Sequence, residues 1–293
     1  MARPVSPTVS RRELANSLRA MRLGARKTLE EAAAALEVSA ATLSRIETGI
    51  RVPRARDVRD LSAFYGLTDE GRISALTALV ADARESGWWE AYTEVDEAYA
   101  TFIGLEAAAT AIEQFEIGLV PGFLQTTEYG KAYLRSAVSP SRKTPLSDHD
   151  ITKWTEVRTR RQQLLSPPSD LAYTAILDEA VLHRPVGGAD VMREQLLHLI
   201  HASGRPGTDI LILPLSYGGH PGQQGGFSIL TLPQAQVSDV VYMDSLAGQL
   251  FLETPEELDR HRRVFNNLRT VALDAQKSQE VLHGTLASIQ RRL

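Results

Sequence analysis

The sequence predicts two domains of different class, a small all-α domain of five helices and a larger C-terminal α+β domain. Three observations lead there. The chain has 293 residues, too many for one small module. From Arg11 to about Glu85 its apolar residues recur at helical spacing throughout. Beyond Ser86-Gly87-Trp88-Trp89 helical and strand-like patterns mix. The boundaries therefore read as a flexible tail over 1–10, an all-α domain over 11–85 and an α+β domain over 86–293.

The tail, MARPVSPTVS, holds two prolines and two serines. Leu14, Leu18 and Met21 mark one face of the first helix, and Leu29 to Leu36 forms a short alanine-rich second. Ser39 is a good N-cap for a third helix that runs to about Thr48 and stops at Gly49. Pro53 opens a fourth with Val58, Leu61 and Phe64, stopped at Gly66. Asp69 or Thr68 caps a fifth carrying Ile73, Leu76 and Leu79.

In the second domain, Ala109 to Val120 reads as a strand ended by Pro121-Gly122. Thr126 to Ala137 and Ile151 to Leu165 read as helices, with SPSRKTPLSD between them and SPPSD after them as loops. Leu171 to Leu177, Asp209 to Leu215, Phe227 to Leu232, Asp239 to Tyr242 and Gln249 to Leu252 read as strands. Asp190 to Ala202 is an amphipathic helix, and Pro255 to Ala275 and Ser278 to Arg291 are two closing helices.

Composition removes several functions. No cysteine is present, which excludes disulfides, thiolate catalysis and cysteine zinc sites and fits a reducing cytoplasm. No run approaches the ~18 apolar residues needed to span a bilayer, so no membrane association is expected. Charge is unevenly placed. Residues 1–60 carry a net +5, leaving −9 for the rest of a chain of net charge −4. A basic small domain beside an acidic large one suits local phosphate contact, although chance clustering gives the same count.

The segment Leu29 to Thr48, LEEAAAALEVSAATLSRIET, has helix-turn-helix spacing. Two helices at a steep angle need a small residue at their closest approach, here Ala33, and a shared core, here Leu36, Val38, Leu43 and Ile46. The polar remainder of the third helix is then free to face a major groove. The rival reading is a pair of ordinary packed helices.

Arg22, the run Leu36 to Gly49 and the segment SRIETGIRVP resemble the repressor-type (XRE/lambda-repressor-like) helix-turn-helix family. The resemblance implies a five-helix domain that inserts its third helix into the major groove of double-stranded DNA. It further implies an ion pair between Arg22 and Glu47, structural in role. One position departs. The family commonly has glycine where this chain has Glu37, which predicts a slightly different turn. Residues 88–293 contain WWEAY, IEQFEIGLVPGFLQTTEY, RTRRQQLL, ILDEAVLHRPVGG, REQLLHLI and GGFSIL. These blocks resemble the C-terminal domain of a large group of actinomycete regulators, a domain of unknown function sometimes described as antitoxin-like.

On this reading Arg45 pairs with guanine from the middle of the recognition helix, or else touches only phosphate. Ala40, Ala41 and Thr42 lie at its N-terminus, where the alanines contact only apolar atoms such as a thymine methyl. Ser44 reaches a base edge or phosphate, or is simply solvated. Thr28 and Ser39 hold phosphates or merely cap their helices. Arg51 and Arg54 approach the DNA backbone or form a solvated basic loop.

Catalytic signals are weak, and no enzyme, cofactor or metal is expected. His198 and His201 are three apart on a helix but lack a third ligand. Asp178-Glu179 with His183 fits capping better than acid–base chemistry. Gly218 to Gly226 lacks a P-loop ending and reads as a flexible loop or a lid. Trp88, Trp89 and Tyr92 either line a pocket or pack the junction. The expected molecule is a homodimeric, operator-binding regulator whose acidic domain senses a small molecule or protein. The alternative is an antitoxin-like protein that binds a small partner and represses its own operon. Leu258, Val264, Phe265 and Leu268 form either a dimer face or intramolecular core.

Overall fold

The computed structural model describes residues 6–136, 146–167, 169–233, 237–245 and 247–291. The chain divides into two compact units. One comprises Met1–Ala91, Ala100–Ala108 and Leu232–Ser238, and the other Tyr92–Tyr99, Ala109–Thr231 and Asp239–Leu293.

The first unit contains five helices: α1 (Pro7–Gly24), α2 (Leu29–Ala35), α3 (Ala40–Glu47), α4 (Ala55–Phe64) and α5 (Glu70–Arg84). Their apolar faces meet in one core of Leu14, Leu18, Ala32, Ala33, Leu43, Ile46, Val58, Leu61, Leu76 and Val80. Local chemistry sets the ends. The Thr28 hydroxyl accepts from the Glu31 N–H while the Glu31 carboxylate accepts from the Thr28 N–H, a reciprocal cap. Ser39 and Asp69 cap α3 and α5 through the Thr42 and Arg72 N–H groups. Gly49 and Gly66 end α3 and α4 with φ of +76° and +79°.

Two expectations at this end are corrected. Pro7 to Ser10 belong to α1 and not to a mobile tail, and Val9 and Ser10 are fully buried. Proline suits the first turn of a helix, so the residue that suggested a tail starts the helix. Residues 1–5 of the expected tail lie outside the described residues. The fourth helix starts at Ala55, with Arg54 in the N-cap position, two residues later than Pro53 suggested.

A further helix, α6 (Glu97–Ala108), was not expected. Phe102 to Glu106 are buried on every side, so no amphipathic stripe betrays it. Gly104 of α6 is needed by its neighbours. Its carbonyl accepts from the Ser6 hydroxyl at 2.6 Å, and an added Cβ would lie 2.1 Å from the Thr8 hydroxyl.

The second unit is built on a six-stranded sheet in the order β3-β2-β1-β4-β5-β6. The strands are β1 (Ala111–Glu116), β2 (Ala172–Asp178), β3 (Thr208–Leu213), β4 (Phe227–Thr231), β5 (Val240–Ser245) and β6 (Gly248–Leu252). β1, β2 and β3 run parallel, which requires long crossovers. α7 (Thr127–Ser136) and α8 (Asp148–Gln162) form the first, and α9 (Ala180–His183) and α10 (Ala189–Ala202) the second. β4, β5 and β6 complete the sheet as an antiparallel meander. Ala137, residues 139–145 of the expected loop and Pro168 of the next lie outside the described residues.

α11 (Pro255–Val271) and α12 (Ala275–Gln290) close the chain. Leu258, Phe265 and Leu268 pack with Phe115, Ile176, Phe227 and Val241 in one core, with Val264 against it. The apolar face offered as a dimer surface is therefore intramolecular core. The free edge of β3 is also occupied. The Leu273 N–H donates to the Ile212 carbonyl and the Ser278 hydroxyl accepts from the Ile212 N–H.

Candidate nucleic-acid interface

The eight residues of α3 divide by helical period. Leu43, Ile46 and Glu47 are buried, whereas Ala41, Arg45 and the following Thr48 are exposed and Ser44 half-exposed. Positions 41, 44, 45 and 48 share one face. That face is polar or small and carries one cation. The Arg45 side chain has no hydrogen-bond or ion-pair partner among the described residues, so its guanidinium is available. Ala40 is half-buried against the core, away from this face, which leaves Ala41 the better placed of the two alanines.

The hydroxyls at the helix starts are occupied locally. Ser39 caps α3 and also shares a 3.0 Å hydrogen bond with the Thr42 hydroxyl. Thr28 caps α2 beside the carboxylates Glu30 and Glu31, an acidic setting for a phosphate contact. Arg51 and Arg54 are both exposed beyond α3. The Arg51 N–H donates to the Arg45 carbonyl at 3.0 Å, which folds the loop back over the end of the helix. The Arg54 N–H donates to the Asp57 carboxylate at 2.9 Å.

One ion pair sets the angle of α3. Arg22 Nε donates to Glu47 Oε1 and Arg22 Nη2 to Glu47 Oε2, both at 2.8 Å, while Nη1 reaches the Lys27 carbonyl at 3.0 Å. This two-pronged geometry is the strongest form of the contact. Glu47 is 5 % exposed, and its hydrogen bonds hold the Arg22 pKa above its usual value against the opposing effect of burial. Burial also pushes the nearby Tyr65 hydroxyl up to about 12, with Glu47 adding to the shift.

The turn between α2 and α3 does not deform around the missing glycine. Glu37 takes φ of +56°, the left-handed conformation that glycine adopts freely. The strain lies in the residue and the turn keeps its shape. Sequence reasoning missed two residues here, Thr48 and the 71 % exposed Ile50. The first was signalled by its place seven residues after Ala41.

The other candidates fall to structural roles. The Asp178 carboxylate accepts from the Ala180 N–H at 2.8 Å, and Glu179 sits 3.3 Å from His183 and accepts from the Leu215 N–H at 2.9 Å. The glycine-rich loop is anchored at Gly222 and His220, with Gly218, Gly219, Gln223 and Gln224 exposed. A Cβ at Gly222 would lie 2.5 Å from the Phe115 ring, and His220 pairs with Asp178 at 3.3 Å. Burial pushes the His198 pKa down, and no cluster of three metal ligands exists among the described residues. Trp89 is buried edge-on to Trp88 within the first unit, whereas Tyr92 lines a cleft in the second.

No helix is long and apolar enough to cross a membrane among the described residues. Two family models match the sequence: a helix-turn-helix domain over residues 13–74 and a domain of unknown function (DUF5753) over residues 99–284. No curated protein and no solved structure matches it. The first match contains α2, α3 and the Arg22–Glu47 pair, so the exposed face of α3 belongs to a DNA-binding fold. The second covers more than half of the chain, and the protein therefore belongs to the DUF5753 family, here with a helix-turn-helix domain at its N-terminus.

Proposed function

We propose that the protein is a sequence-specific transcriptional regulator that binds operator DNA as a homodimer and responds to a signal through its C-terminal unit. The observation that carries the reading is the exposed face of α3, on which Ala41, Ser44, Arg45 and Thr48 stand opposite the buried Leu43, Ile46 and Glu47. Arg45 is assigned to a base edge, with Ala41 and Ser44 beside it. Arg51 and Arg54 are assigned to backbone phosphates. Thr28 and Ser39 act first as caps.

One such helix reads only a few base pairs, too few to find a single genomic site. Two copies on an inverted repeat, about one helical turn apart, supply the rest. Because the apolar face of α11 is consumed in its own core, the dimer contact in this reading lies elsewhere. The reading assigns the chain no reaction and a cytoplasmic location.

Footprinting of the full chain on its own upstream region, at two salt concentrations, tests the proposal. The expected result is protection of an inverted repeat that weakens steeply with salt, because phosphate contacts release counterions. Light scattering should give a dimer. Protection that ignores salt, or a monomer covering one asymmetric half-site, overturns it. A small protein that co-purifies and lifts the protection would identify the signal as a partner protein.

A further inference from the structure

α7 and α8 enclose an open cleft of about 500 Å³ lined by Tyr92, Thr127, Lys131, Thr155, Thr159 and Arg160. Thr127, Thr155 and Thr159 also line a smaller recess of about 10 Å³, room for one water-sized group, with Gln125, Gly130 and Arg158 around it. Both lie wholly within the C-terminal unit.

The recess contains two buried polar atoms without a hydrogen-bond partner, Arg158 Nε and Gln125 Oε1. Gln125 is 5 % exposed and held in place by its amide, which donates to the Val120 carbonyl at 2.7 Å. Arg158 is held by its Nη1, which donates to the Gly130 carbonyl at 3.1 Å, by a hydrogen bond to the Tyr99 side chain and by the Tyr133 ring 5.4 Å from its guanidinium. No carboxylate pairs with Arg158 among the described residues. Burial pushes its pKa down, as expected for a cation short of a counter-charge.

The Arg158 and Gln125 side chains come together beside Gly130. A Cβ added there would lie 3.0 Å from Arg158 Nη1 and 3.4 Å from Gln125 Oε1. Glycine inside a helix is unfavourable, and here it keeps that point open. An unpaired buried donor and an unpaired buried acceptor are each costly. One ligand carrying an anionic oxygen and a hydroxyl satisfies both. The wider cleft adds Arg160, the threonine oxygens and Lys131, which pairs with Glu128 at 2.8 Å, beside Glu156, which Lys153 pairs at 3.0 Å.

We infer that the cleft between α7 and α8 binds a small hydroxylated anion, its phosphate or carboxylate oxygens accepting from Arg158 and a neighbouring hydroxyl donating to Gln125 Oε1. This deepens the proposed signal response and rests on it for its biological meaning. Binding is measured without DNA, so the two readings fail separately.

Calorimetric titration of the full chain with inorganic phosphate, glycerol 3-phosphate and glycerate tests it. The expected result is saturable binding in the millimolar range or tighter by at least one hydroxylated anion, stronger than inorganic phosphate. Glycerol 3-phosphate against glycerate tells a phosphate site from a carboxylate site. Gly130→Ala fills the recess and Arg158→Lys keeps the charge but removes Nε. Each should weaken binding about tenfold or more. Melting curves establish that both variants are folded, since the Cβ of Gly130→Ala would lie 3.0 Å from Arg158 Nη1. No saturable binding at millimolar ligand, inorganic phosphate binding as tightly as both hydroxylated anions, or parental affinity in either folded variant overturns the inference.

Discussion

Two half-buried arginines divide the molecule. In the N-terminal unit Arg22 gives Nε and Nη2 to both oxygens of Glu47 and Nη1 to a backbone carbonyl. In the C-terminal unit Arg158 meets a carbonyl, the Tyr99 side chain and an aromatic ring but no carboxylate among the described residues, and its buried Nε has no partner. The same contrast extends outward. The N-terminal unit caps α2, α3 and α5 with side chains and places its spare cations, Arg45 and Arg51, in solvent. Buried polar atoms without partners occur in both units, Ser10 Oγ and Tyr65 OH in the first and Gln125 Oε1 and His220 Nδ1 in the second. The first pattern belongs to a helix anchored from within its own unit. The second belongs to a site whose polar groups await something from outside.

The largest expected effect comes from making Arg22 resemble Arg158. Glu47→Ala leaves a half-buried guanidinium without its carboxylate, at a cost approaching the about 3–5 kcal/mol of a fully buried pair. Chemical denaturation of the full chain, with hydrogen exchange at α1 and α3, measures the loss. If Glu47→Ala kept parental stability and changed base preference instead, Glu47 would belong to the reading face and the anchoring interpretation would be wrong.

Next is the spare cation. Arg45→Ala should cost about 1–3 kcal/mol on the preferred operator and relax selection at one base pair. Arg51→Ala should weaken specific and random DNA alike and lower the salt slope. Binding titrations on both DNAs separate the two. Equal losses on specific and random DNA for both variants would place Arg45 on phosphate.

Glu116, at the end of β1, is the acidic counterpart of Arg158. Burial pushes its pKa up to about 7, Asp244 adds to the shift, and the hydrogen bond from Gln114 opposes it. A carboxyl raised in the folded state binds its proton more tightly there than when unfolded. Its contribution is therefore complete below the unfolded value near 4.5 and is lost as pH rises through about 7. Stability should fall by about 1–3 kcal/mol across that window. Glu116→Gln should flatten the fall in a series of denaturation curves. A parental pH profile in the variant would assign the dependence to another group.

The same contrast decides what the sequence made legible. The fold class and α1 to α5 could be read because their signals are local: Ser39, Asp69, Gly49 and Gly66 each act within a turn of where they stand. Arg45 and Ser44 could be placed on a face from the helical period alone. α6 could not, because its burial on all sides removes the period. Neither Gln125 nor Arg158 carries any sequence signal. One precedes α7 and the other lies in α8, and only the packed crossover brings them to one recess. His220 meets Asp178 for the same reason, from a loop that looked flexible because it was rich in glycine. Gly222 and Gly226 of that loop answer to close packing at Phe115 and Glu116.

The smallest expected effect lies at a strained residue of the N-terminal unit. Glu37 has φ of +56° in the turn that joins α2 to α3. The turn is held by the Glu37 N–H on the Ala34 carbonyl and the Val38 N–H on the Ala33 carbonyl, both at 3.0 Å. A residue with a Cβ loses about 1–2 kcal/mol in this conformation. Glycine escapes that loss but gives the unfolded chain more freedom, which returns about 0.4–1 kcal/mol. Glu37→Gly should therefore stabilise the domain by about 0.5–1 kcal/mol. Glu37 is exposed, so no packing is lost. Glu37→Gln is the control, since it removes the charge and keeps the strain. Denaturation midpoints of the full-length variants decide the matter. If the glutamine variant gained as much as the glycine variant, the charge would be the source of the strain and the backbone would be at ease.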